Sequence, residues 1–234
     1  MEKQLKDFTL ESNEIELYKK IDEITAKSEQ IVSWITNNID RANNSLILTN
    51  LLSSTSSYLN LLKIISFEHI SLLALSTRNI YELNVRTRAV IELPEELNKW
   101  QSEAVTDKLQ IIEGILTLTT ESSCSQKIKL LEDEMTRLKN LLQKYNLPII
   151  KNPEASGSLA KKIGLQEEHV ALFKLFSKLV HPSSYLVNSY DQAATAENRM
   201  ILQAHAQLYA HDTIGRVCIA LQIPYAISQP YGNQ

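Results

Sequence analysis

HISLLALSTRNIYELNVRTRAVIE, residues 69–92, is the stretch on which the fold turns. Wound as a helix, it sets Leu72, Leu73, Ile80, Leu83 and Val90 along one broad apolar side. Arg78, Glu82 and Arg86 recur every fourth residue and share a second face. An exposed pair of this kind stabilises a helix by only about 0.2 to 0.5 kcal/mol, and Arg ahead of Glu is the weaker order. Helix support alone is therefore a modest reason for three charges. If the helix is central, they are partly buried, and burial without partners would cost several kcal/mol. A further polar group should meet them.

The same periodicity extends outward in both directions. Upstream, Leu17, Ile21, Ile24, Ile31, Ile35 and Ile39 line one face of a helix from Asn13 to Asp40, interrupted by Ser28. After the Asn43-Asn44-Ser45 break, Leu48, Leu51, Leu52, Leu59, Leu62 and Ile65 mark a second helix with a serine-rich middle. Downstream, Pro94 with Glu95 and Glu96 makes a good helix opening, because Pro lacks only a donor that the first turn leaves free and the acids suit the positive helix end. Val105, Leu109, Ile112, Leu116 and Thr119 then step four, three, four, three. Beyond TTESSCSQ, where Ser123 and Gln126 have capping-box spacing, Ile128, Leu131, Met135, Leu138, Leu142 and Tyr145 form a matching seam. The two seams predict an antiparallel helical hairpin over residues 94–145.

NLPIIKNPEASGS, residues 146–158, reads as a long loop. A short helix ending at Gly164 follows, then QEEHVALFKLFSKLV and an alanine-rich helix that stops before Pro224. The chain has 234 residues with only 5 Gly and 6 Pro, too few for many hairpins. The expectation is an all-α multi-helix bundle forming a single domain over residues 1–234, with residues 1–43 as a helical extension. Trp34 and Trp100 read as anchors in that bundle.

Composition bounds the function as well. The 24 Lys and Arg against 27 Asp and Glu give a net charge of -3, which supplies no general attraction for a polyanion. Cys124 and Cys218 lie far apart with no paired spacing, so neither a disulfide framework nor a zinc site is suggested. His205 and His211 stand six apart and miss the helical spacing of paired ligands. No metal and no cofactor is expected. No stretch approaches the ~20 apolar residues that span a bilayer, and the charged N-terminus lacks an apolar leader segment, so a cytoplasmic chain without membrane contact is expected.

In FSKLVHPSSY, residues 176–185, Pro182 disfavours the helical region at the residue before it and leaves His181 at a helix exit. Ser183 and Ser184 follow as capping groups, beside which an anion could settle. His181 is the economical partner for Glu82 and Arg78, as an imidazolium or as a neutral base. Its other reading is a cap on the free carbonyls of a helix end.

STRNIYEL, LPEEL and LFSKLVHPSSYLV together resemble the DUF5677-type bacterial helical proteins, which in turn resemble the HEPN superfamily, over residues 60–220. The resemblance implies a helical bundle, frequently a homodimer, some of whose members are metal-independent ribonucleases or toxins in defence systems. Arg78 and Asn79 match the start of the family's active-site motif, but Leu83, Asn84 and Val85 stand where its histidine should follow. In a ribonuclease of this kind His181 would take the proton of a ribose 2'-hydroxyl while Arg78 and Arg86 stabilise the phosphorane. Glu82 would orient an arginine, and Asn79 and Ser183 would contact the substrate. The partners so implied are a second copy, an RNA substrate and a regulatory protein. The alternative is a non-catalytic binding or regulatory module whose Arg, Glu and His network is structural or holds a ligand, or an adaptor that presents the hairpin.

Overall fold

The computed structural model describes residues 14–65, 68–119 and 125–231, and every regular element among them is helical. The proposed cap at Ser123 and the thiol of Cys124 lie outside the described residues. The chain is all-α, a multi-helix bundle. The described residues form two compact units, one within 1–92 and 156–234 and the other within 93–155.

The first unit is built on four long helices, α1 (Glu14–Asn38), α2 (Asn43–Ile65), α3 (Ile70–Glu92) and, later in the chain, the alanine-rich helix. The serine-rich middle of α2 does not interrupt it. Thr55, Ser56 and Ser57 each donate to the carbonyl four residues back, and the Ser56 hydroxyl is also paired with that of Ser28 in α1 at 2.6 Å, where it can accept. The polar break in the α1 stripe and the serines of α2 thus satisfy one another inside the core.

In the second unit, α4 (Pro94–Thr117) opens as its sequence requires: Leu93 is extended at φ -120° and ψ 108°, and Pro94 takes the first turn. With α5 (Ser125–Lys144) it packs through Leu109, Ile112, Leu138 and Leu142. The segment expected as loop ends three residues early, because α6 (Ser156–Lys162) already begins at Ser156. Gly164, at φ +77°, lets the chain leave that helix through the left-handed region.

Then come α7 (Gln166–Leu179), two short turns α8 (Ser184–Asn188) and α9 (Tyr190–Ala193), α10 (Ala196–Ala220) and α11 (Tyr225–Ser228). α3 packs against α2, α6, α7 and α10. Thr77 donates to Leu202 O and Asn84 to Tyr209 O, both across 125 residues, so α3 and α10 run side by side in the same direction. Surrounded in this way, α3 buries residues around most of its circumference, although Leu72 and Leu75 remain exposed at its start. No described helix is long and apolar enough to cross a membrane.

Candidate functional site

Arg78 and Glu82, one turn apart on α3, form an ion pair with Nε donating to Oε1 at 2.8 Å. Both side chains are about one-third exposed or less, 27% and 32%. The guanidinium also lies over the Phe173 ring of α7, 4.9 Å from its centroid. Phe173 in turn stacks on His169, one turn earlier, with centroids 3.9 Å apart. The His169 Nδ1 is hydrogen-bonded to the Tyr81 hydroxyl at 3.2 Å. The imidazole beside the Arg78–Glu82 pair is therefore His169, not His181.

The rest of the cluster holds that ring in place. Tyr81 meets Tyr209 of α10 edge-on at 4.9 Å, and the Tyr209 hydroxyl donates to Glu168 at 2.6 Å. On the opposite edge of the imidazole, the Gly157 backbone of α6 comes so close that a Cβ there would stand 2.9 Å from Nε2. Partial burial pulls the His169 pKa below the ordinary histidine value, while Glu82 pushes it up and Arg78 pushes it down. Burial, reinforced by Glu168, raises the Tyr81 and Tyr209 hydroxyls well above the ordinary tyrosine value. Around neutral pH the cluster thus consists of a neutral imidazole, two neutral phenols and one arginine paired with one carboxylate.

His181 is exposed at the exit of α7 and makes no side-chain hydrogen bond, ion pair or ring contact among the described residues. It lies twelve residues beyond His169, roughly 18 Å along a helix axis. The expected convergence of His181 with Arg78 and Glu82 is replaced by that of His169. Ser183 caps α8, accepting from Leu186 N at 3.1 Å and donating to Lys178 O at 2.7 Å, so its hydroxyl is occupied at both ends. Asn79 is half-buried beside Arg78, and Arg86 is buried. Of the three charges at four-residue spacing, the first two belong to the cluster at α7.

A second polar ladder runs further along α3. Asn84, wholly buried, donates to Asp212 Oδ2 at 2.7 Å, and the same oxygen accepts from Arg216 Nε at 2.7 Å. The Arg216 Nη1 reaches Glu92 at 2.8 Å. This ladder ties α3 to α10. His205 donates from Nδ1 to Ile201 O, and His211 pairs with the Tyr231 hydroxyl, so both imidazoles are engaged within unit-internal contacts.

Sequence reasoning missed His169, Tyr81, Phe173 and Tyr209. A signal existed: His169, Phe173 and Phe176 share one face of α7, the pattern of a ring-lined contact with a neighbouring helix. Comparison of the chain with known protein families, curated proteins and solved structures finds no match.

Proposed function

We propose that this chain is a non-catalytic helical binding or regulatory module, in which the Arg78, Glu82, Tyr81 and His169 network fixes α7 on α3. The observation that carries this reading is that the reactive groups are already engaged. Arg78 is held by a carboxylate and an aromatic face, and His169 is held at Nδ1 by Tyr81, with Gly157 so near its Nε2 edge that a Cβ there would stand 2.9 Å away. A paired guanidinium attracts a phosphate less than a free one does, and an imidazole fixed by a tyrosine and a stacked ring is less able to reach a substrate proton.

A second reading, a HEPN-like metal-independent ribonuclease or toxin of a bacterial defence or stress system, draws on one specific feature. His169 is kept neutral beside Arg78, the state a general base needs near a group that stabilises developing negative charge. That reading adds a cytoplasmic homodimer whose second copy would supply the basic approach that a net charge of -3 lacks.

The deciding experiment incubates the purified chain with total RNA and tRNA in EDTA, beside His169→Ala, Arg78→Ala and His181→Ala variants of verified fold. Intact RNA in all four, with a lowered melting temperature for His169→Ala, is the expected result. Cleavage by the wild type that disappears in any of the variants would overturn the module reading in favour of the ribonuclease.

A further inference from the structure

The second unit contains a cavity of about 650 Å³ that the network on α3 and α7 does not touch. It has three walls. One is a face of α4 carrying Thr106, Leu109 and Glu113, the second is Lys139 and Leu142 of α5, and the third is the segment 146–151. That segment returns along the hairpin because α5 ends in a left-handed turn at Asn146, φ 50°. Leu147 N donates to Leu142 O at 2.9 Å and Asn146 N to Gln143 O at 3.2 Å, the paired bonds of a Schellman motif. Leu147 then packs on the hairpin core, and Gln110 Nε2 donates to Lys151 O at 3.1 Å, which fastens the far end of the strap.

The volume falls within the ~300–1,000 Å³ of small-molecule sites, and most of the surface it exposes is apolar, from five Leu and Ile side chains set among seven polar residues. Leu109 and Leu142 form the floor, while Ile149 stands 68% exposed on the strap. The charges at the rim are unequal. Lys139 and Lys151 carry two ammonium groups with no ion-pair partner among the described residues, against the single carboxylate of Glu113. An apolar body would be covered by the leucines and Ile150, and an acidic head would meet the two lysines.

We propose that this cavity binds a small amphiphilic anion, with its apolar chain between α4, α5 and the strap and its carboxylate at Lys139 and Lys151. The proposal does not rest on the reading of the α3 network, and its test reads binding without RNA. The full chain is titrated with 11-(dansylamino)undecanoic acid below its critical micelle concentration, with dodecanoate and dodecyltrimethylammonium as competitors.

Saturable one-to-one fluorescence enhancement is expected, displaced by dodecanoate and not by the cationic amphiphile. Replacing both lysines, Lys139→Gln with Lys151→Gln, weakens binding about fivefold. Gln143→Trp, which fills the groove from an exposed helix position, removes it; circular dichroism verifies that each variant is folded. No saturable binding by the wild type, equal displacement by the cation, or unchanged binding in both folded variants would overturn the proposal. A wild type that binds no probe but loses a dimer on Gln143→Trp would assign the groove to a second copy and likewise overturn it.

Discussion

Helices α3 and α5 are similar in length, 23 and 20 residues, and face opposite problems. α3 is enclosed by neighbours, so its polar side chains must find partners inside the fold: Thr77, Asn84 and Tyr81 all hydrogen-bond to other helices. α5 buries only Leu138 and Leu142 fully, with Leu131, Met135 and Leu141 partly covered beside them. The comparison teaches that a helix's specific chemistry comes from enclosure. Enclosed polar residues are fixed into a network across helices, whereas on α5 the charged groups form surface ion pairs, as Glu134 does with Lys108 and Arg137.

The largest expected effect breaks the enclosed side. Phe176→Ala removes a fully buried ring of the first unit and should cost about 3–5 kcal/mol in urea denaturation. Leu142→Ala in the small hairpin core should cost near the lower end of the ~2–5 kcal/mol range for such truncations. Its hydrogen-exchange protection should fall within residues 94–151 and not in α3. Loss of protection throughout the chain would show that the two regions unfold as one.

Gly157→Ala sharpens the comparison at the cluster itself. The new methyl must displace a ring fixed by Phe173 and Tyr81, and a destabilisation of about 1–3 kcal/mol is expected. An unchanged melting temperature would mean that the ring is free to move. Smaller still is the Arg78–Glu82 coupling, which a double-mutant cycle should measure at about 0.2–1 kcal/mol, since both side chains remain partly in water.

The weakest effect is on pH. His169 binds its proton less readily in the folded chain than in the unfolded one. As pH falls through the ordinary histidine value the unfolded state therefore takes up the proton first, and stability declines until the folded-state value is passed. His169→Gln should flatten this acid-side slope in pH-dependent melts, while the alkaline side stays unchanged.

The helices were legible in the sequence because a one-sided apolar stripe leaves a regular record. The α1 stripe from Leu17 to Ile35 and the α4 and α5 seams over residues 105–116 and 131–142 fall where the spacing predicts, whereas Tyr145, expected to extend the second seam, is exposed beyond the end of α5. The Arg78 and Glu82 pair was legible for the same reason, as a four-residue step on one helix. The choice of histidine was not. His181 is conspicuous in the chain because a proline follows it, yet that proline sends it to an exposed helix exit. His169 is inconspicuous among QEEHVALF, and only the crossing of α7 over α3, a tertiary relation absent from local periodicity, brings it to Tyr81. The strap over the hairpin was hidden likewise, since a sequence with two prolines and a Gly marks a loop but not where it lies down.

His169 lies within electrostatic reach of both Arg78 and Glu82, and an NMR pH titration of its imidazole in three proteins tests this most directly. A midpoint below the ordinary histidine value is expected in the wild type, moved upward by Arg78→Gln and further downward by Glu82→Gln. A midpoint at the ordinary value that neither substitution shifts would contradict it.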